Sequence, residues 1–249
     1  SFFNSAVPTK SIFWKEIISS QLDADRGDYL RRDSHHAGVK YGVYDLDRLI
    51  NTLAIGIDPE VDEPILGLKE EGWQVAESFI LARYKMFTQV YFHKTRRAYD
   101  KMLQEAISHT LGTLPSPDSL DDYLIFDDYM IWNMMSNDNT NEWFKKIKNR
   151  NHIRKVFTSN NKSEQEKLEN IVEKLKEENI WYWRDDLETN WYNQDMDKEV
   201  MLIEKNGDLT LLSNKSKIID NLDLFNKNRL YVKPSDRDKV NKIKEDVIR

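Results

Sequence analysis

The chain has 249 residues, 39% of them hydrophobic and 32% charged, enough for one large domain or two small ones with a sizeable core. Its formal net charge of −6 argues against a general nucleic-acid binder, and the absence of cysteine excludes disulfides and thiolate metal sites. No run approaches the roughly 18 apolar residues of a membrane span, and the opening SFFNSAVPTK does not read as a secretory leader. A cytoplasmic protein without membrane contact is expected.

Residues 11–33 read as a helix with Phe13, Ile17, Ile18 and Leu22 as its apolar stripe. At about 100° per residue, Asp25, Arg26, Tyr29 and Asp33 fall within an arc of about 100°. That face offers a hard metal ligand, a phosphate partner, a ring and a hydroxyl acceptor, with no apolar residue among the four. By spacing alone the alternative is a solvated helix laced with pairs such as Asp28 and Arg32. Gly27, inside the helix, costs about 1 kcal/mol and signals close packing or a bend. His35 and His36, about 100° apart, do not easily share one ion, and suit the negative end of the helix dipole. His109 and His152 stand alone and read as structural.

Two glycines break the pattern between Ala37 and Gly42, and Asp45 caps a short helix carrying Leu46, Leu49, Ile50 and Leu53. Residues 54–67, with Pro59 and Pro64, allow short strands. Residues 69–111 form the longest helical stretch, two helices with a bend, closed by a stop and turn over Leu111 to Asp118. Helices are expected over 119–135 and 141–157. Ser163 and Glu166 form a capping box ahead of Leu168, Ile171, Val172 and Leu175. Beyond Trp181, residues 199–212 read as a hairpin turning at Asn206-Gly207. Residues 229–232 read as a strand before Pro234 and a charged helical tail. The clusters Trp181-Tyr182-Trp183 and Trp191-Tyr192 suit burial more than a partner surface. The expected fold is mainly α with a small C-terminal β appendage.

The stretch SQLDADRGDYLRRDSHHAGVKYGVYDLDRLI, residues 20–50, resembles the segment closing the active site of HD-domain deoxynucleoside triphosphate triphosphohydrolases. This family includes bacterial dGTPase-like enzymes and the vertebrate enzyme that joins a SAM domain to an HD domain. Asp25 to Asp33 match its D-[RK]-x-D-Y-x-x-R-D pattern. AESFILARYKMFTQVYFHK, residues 76–94, is similar to the family segment ending in Tyr-x-His-Lys. As a continuous helix it would set Arg83, Phe87, Tyr91 and Lys94 on one stripe of about 80°. Without the resemblance, Phe87 and Tyr91 would be core residues and Lys94 a snorkelling charge. The resemblance thins after about position 115, although SKIIDNLDLFNKNRLYVKP (216–234) is similar to the C-terminal end of bacterial members.

The resemblance implies that residues 1–115 are the C-terminal portion of an HD core. A helical extension over 116–195 and a β-hairpin region with a charged tail over 196–249 would follow. It implies Asp25 as a metal ligand, Arg26 and Arg83 at phosphates, Tyr29 and Tyr91 at the sugar, and Asp33 at the 3′-hydroxyl. Arg48, His93 and Lys94 would meet a regulatory nucleotide. The implied cofactors are a divalent transition metal (Mn, Fe, Zn or Ni, undetermined) and Mg with the triphosphate. The family's earlier His and His-Asp pair have no match here, since no histidine precedes Asp25. One carboxylate does not hold a transition metal against water. The other ligands are therefore expected from an upstream segment or partner chain, and no catalytic acid or base is identified. The implied reaction converts a dNTP to deoxynucleoside and inorganic triphosphate, in a homo-oligomer. The alternatives are a non-catalytic nucleotide-sensing or assembly subunit, and an HD phosphohydrolase of another phosphoester.

Overall fold

The computed structural model describes residues 13–59, 62–112, 120–189, 199–222 and 225–248. In chain order the elements begin with α1 (Phe13–Ile18), α2 (Ala24–His36), α3 (Leu46–Thr52), β1 (Leu53–Asp58), β2 (Glu63–Lys69), α4 (Trp73–Met86) and α5 (Lys94–Leu111). There follow α6 (Leu120–Leu124), α7 (Asp128–Asn137), α8 (Glu142–Lys148), β3 (Arg154–Ser159), α9 (Lys162–Glu177) and β4 (Tyr182–Thr189). The last are β5 (Met201–Ile203), β6 (Leu209–Leu211), α10 (Leu212–Lys215), α11 (Lys217–Asp220), β7 (Phe225–Val232) and α12 (Arg237–Ile248). The fold is mainly helical, as the sequence implies. It divides into two compact units, residues 1–91 with 189–225, and residues 92–188 with 226–249. No described helix is long and apolar enough to cross a membrane.

In the first unit the helix expected over 11–33 is two helices. Ser20 Oγ accepts from Leu22 N at 3.0 Å, and Asp23 accepts from Arg26 N at 2.7 Å with its own backbone extended. These side-chain acceptors compete with the backbone ladder after α1 ends at Ile18, and Asp23 caps α2. Leu30 and Ser34 face inward along α2. Ser34 Oγ donates to Val39 O and accepts from Gly42 N, folding the loop after α2 back on it. A Cβ on Gly42 would lie 2.1 Å from Leu30 O, so only glycine fits there. Asp45 caps α3 as expected, accepting from Arg48 N. β1 and β2 form a hairpin, and β2 pairs in parallel with β5, extending one sheet in the order β1-β2-β5-β6. Asn206-Gly207 makes the expected turn, with Gly207 at φ 93°.

In the second unit the stretch 141–157 is α8 followed by β3, not one helix. Arg150 at φ 54° ends the helical run, and Val156, Phe157 and Thr158 then favour a strand beside β7. The stretch 119–135 is two helices, α6 and α7, with Asp127 capping the second through Met130 N. The cap of α9 is Asn161, which accepts from Glu164 N. Glu164 in turn accepts from Asn160 N, so the capping box sits ahead of the Ser163–Glu166 pair. Leu168, Ile171, Val172 and Leu175 of α9 are buried as expected, against Leu230 and Val232 of β7 and Val240 of α12. Arg97 of α5 and the buried Asp185 of β4 hydrogen-bond at 2.5–3.3 Å. Trp183 packs on Tyr231 and Trp181 on Trp143, while Trp191-Tyr192 lie outside the described residues.

Gly27 is buried in α2, and a Cβ there would lie 3.5 Å from Tyr44 Oη, an ordinary contact. Close approach therefore does not require glycine. Gly27→Ala is expected to stabilise the protein by about 0.5–1 kcal/mol in urea unfolding. A loss of stability would show that α2 has no room for the methyl group.

Candidate functional site

The outward face of α2 and the end of α4 build one polar cluster within the first unit. Arg83 sits in the last turn of α4 and is 7% exposed, and a π-helical turn, Phe87–Tyr91, follows. Wide turns of this kind re-aim side chains and are frequent at functional sites. Here Phe87 and Tyr91 meet edge to face at 5.0 Å, and Arg83 lies 5.6 Å over the Phe87 ring. Tyr91 Oη donates to Asp33 Oδ2 at 2.8 Å, and its ring lies 6.2 Å from that of Tyr29. Asp33, Tyr29, Tyr91 and Arg83 are thus brought together from two helices.

The charge balance of the cluster is unusual. Arg83 Nη1 donates to Gln21 Oε1 at 2.6 Å, while Arg83 Nε is buried and has no hydrogen-bond partner among the described residues. Burial, and then the charge of Arg26, holds the Arg83 guanidinium below its ordinary pKa, opposed by Tyr29 and Asp23. Burial raises the Tyr29 phenol, opposed by Arg83 and Arg26. Among the described residues no carboxylate forms an ion pair with Arg83. Arg26 pairs with its own cap, Asp23, at 3.2 Å. It also lines a cavity of about 250 Å³ with Gln21, Ser20, Glu16 and Glu199. The arrangement supplies donors for an anion beside a carboxylate that accepts from a hydroxyl.

Asp25 is exposed one turn from Tyr29. Among the described residues no group of three or more His, Asp or Glu side chains can hold a metal ion. Asp25 alone does not fit a metal centre, and no chemical step is derived through one. Lys94 leaves the stripe expected with Arg83, because the π turn and the His93 cap end that helix and Lys94 begins α5. Lys94 lines a cavity of about 200 Å³ in the second unit with Arg154, Lys155 and Arg237, and His93 is exposed. Arg48, in the first unit, lines a separate recess with Asp45 and Glu71. His35 and His36 end α2, their rings 5.4 Å apart.

Sequence reasoning missed Gln21 as the partner of Arg83, and Phe87 as its cation–π platform. A glutamine just ahead of a helix cap gives no periodic signal. It also missed a largely apolar groove of about 720 Å³ on the opposite side of α2, lined by Leu22, Val43, Leu49, Leu66 and Phe79 among others. Tyr44 crosses that side to donate to Gly27 O at 2.8 Å, and burial pushes its pKa to about 12.

A family model described as HD associated region matches residues 44–186, more than half of the chain. The chain belongs to that family. Arg48, Arg83, Tyr91, His93 and Lys94 lie inside the matched span, and Asp25 to Asp33 precede it. The uncharacterized protein YwfO of Bacillus subtilis is 40% identical over 91 residues, which are 36% of this chain and 20% of that protein. A Dictyostelium discoideum homologue of the deoxynucleoside triphosphate triphosphohydrolase SAMHD1 is 29% identical over 118 residues, 46% of this chain and 22% of that protein. These matches span about a fifth of the curated relatives' lengths. Among solved structures, a hypothetical protein of Aquifex aeolicus superposes with TM-score 0.79 at 27% identity, covering 93% of this chain and 59% of that one. A phosphohydrolase of Bacteroides thetaiotaomicron does so with TM-score 0.66 at 26% identity, covering 93% and 66%. The HD-associated chain is thereby related to HD-type phosphohydrolases.

Half-buried Glu16, beside Arg26 in the smaller cavity, accepts from Leu66 N at 2.5 Å, and burial raises its pKa above 4.5. A raised folded pKa gives stability that is full below the unfolded pKa and lost as pH rises through the folded one. The stability of Glu16→Gln relative to the natural protein is therefore expected to rise between about pH 4 and pH 7 in denaturant titrations. A constant difference would place Glu16 in solvent.

Proposed function

We propose that this chain supplies the sugar- and triphosphate-holding part of an HD-type phosphohydrolase that converts dNTPs to deoxynucleoside and inorganic triphosphate. The observation that carries the reading is the cluster in which Tyr91 bonds Asp33 beside Tyr29 and the under-compensated Arg83. Arg83 and Arg26 would hold the triphosphate, whose charge relieves the buried guanidinium and satisfies its Nε. Asp33, oriented by Tyr91, would accept the 3′-hydroxyl. The edges of Tyr29 and Tyr91 would pack where a ribose carries its 2′-hydroxyl, disfavouring ribonucleotides.

Water would attack the α-phosphorus, and the bond from that phosphorus to the sugar 5′-oxygen would break. The two arginines would offset charge developing on the phosphoryl oxygens. Asp25 is the carboxylate this chain would lend to a divalent transition metal, its other donors lying outside the described residues. The apolar groove behind α2 offers a seat for further helices of an HD core. Lys94 is assigned to a regulatory nucleotide. Its cavity is rich in cations, and burial, then Arg229, Lys94 and Lys227, holds Lys155 below its ordinary pKa.

Triphosphate release from a panel of dNTPs, NTPs and phosphomonoesters tests the reading. The enzyme is expected to prefer dNTPs. Asp33→Asn and Tyr91→Phe should cut kcat/KM for dNTPs by about 10-fold or more, the size of a lost charged hydrogen bond. Equal turnover of dNTPs and NTPs, or full activity in Asp33→Asn, would contradict it. Nucleotide binding without triphosphate release would favour a sensing subunit.

A further inference from the structure

The short segment between α1 and α2 contributes Gln21, which lies outside the helices of the polar cluster yet holds the guanidinium within it. Arg83 Nη1 reaches Gln21 Oε1 at 2.6 Å across 62 residues of chain. Side-chain bonds on either side fix the segment, Leu22 N donating to Ser20 Oγ at 3.0 Å and Arg26 N to Asp23 Oδ1 at 2.7 Å. A guanidinium bonded to so anchored an amide gives up the freedom of its long side chain before any ligand arrives.

What stands at position 21 is neutral, although acids are close by. Asp23 is occupied by Arg26 and by the cap of α2. Glu16 and Glu199 line the same cavity of about 250 Å³ as Gln21 and Arg26. Each accepts from a backbone N–H, Glu16 from Leu66 and Glu199 from Ser213. Glutamate has the shape of glutamine, and so close to a buried guanidinium it would form a charge-assisted bond about twice as strong as the neutral one. It would also cancel the positive charge that draws an anion. Glutamine keeps the geometry and leaves the charge. Its amide nitrogen carries two N–H donors besides, which a carboxylate lacks.

We propose that Gln21 is a positioning residue, aiming Arg83 while leaving its charge for a polyphosphate, so that the neutrality of position 21 sets the anion affinity of the site. This inference rests on the reading that Arg83 meets the triphosphate. It makes that affinity depend on a residue outside both sequence segments from which the site was read.

Two measurements on the full chain test it. Calorimetry with inorganic triphosphate compares the natural protein, Gln21→Glu and Ser19→Glu, the last adding the same charge at an exposed position of the same cavity. Gln21→Glu is expected to weaken binding by about 10-fold or more, and Ser19→Glu by less than about 3-fold. Urea unfolding without ligand compares the natural protein, Gln21→Glu, Arg83→Gln and the double variant. Gln21→Glu is expected to favour the folded state about 5-fold or more with Arg83 present, relative to its effect in the Arg83→Gln background, the size of a coupled pair. A merely structural Gln21 would show no such coupling, and binding and stability would fall together. Unchanged triphosphate affinity in Gln21→Glu, a loss matched by Ser19→Glu, or additive stabilities would overturn the inference while leaving the reading of Arg83 intact. Failure of the natural protein to bind triphosphate would bring down that reading, and this role of Gln21 with it.

Discussion

Among the described residues, a guanidinium held out of water without a paired carboxylate is the constraint around which the candidate site is arranged. Arg83 is 7% exposed, and what meets it is neutral: Gln21, the Phe87 ring and the Tyr29 phenol. A buried charge is costly unless paired and hydrogen-bonded, and among the described residues Nε lacks even a neutral partner. Arg26 lowers the Arg83 pKa further, opposed by Tyr29 and Asp23. The proposed triphosphate would relieve that cost. Asp33 is kept apart from this role, because Tyr91 occupies one of its oxygens and orients the other. The cluster therefore pairs a place for negative charge with a place for a hydroxyl donor.

Local chain geometry produces this arrangement. Asp23 caps the start of α2, fixing the direction in which Arg26, Tyr29 and Asp33 project. Gly42, which tolerates no Cβ against Leu30 O, presses the following loop onto the other side of α2. The π turn after Arg83 aligns Phe87 and Tyr91 for edge-to-face contact. Each of these is a backbone device, and each costs regular hydrogen bonding or conformational freedom that the packing around it offsets.

Much of the α2 face was legible in sequence, because a run of polar residues at helical period reports its own geometry. Its convergence with Arg83 and Tyr91 came from the motif resemblance, since contact between residues 58 apart leaves no periodic trace. The π turn was not legible: nothing in FTQVY distinguishes a wide turn from an ordinary one. The strand at 154–159 reads as helix in sequence because its pairing partner, β7, lies more than 60 residues downstream. The stretch 119–135 reads as one helix, because the break at Ile125–Asp127, where Asp127 turns to capping α7, leaves no periodic trace. Membership of the HD-associated family places these features beside relatives much longer than this chain.

Binding of inorganic triphosphate to the full chain, followed calorimetrically in natural protein and in Arg83→Gln, tests the central claim most directly. It reads the anion site without requiring a metal, a base or turnover. The account predicts saturable binding that falls by about 10-fold or more in Arg83→Gln, the range for one charged hydrogen-bonding group, with the fold intact by circular dichroism. Absence of binding, or equal affinity in the variant, would contradict it.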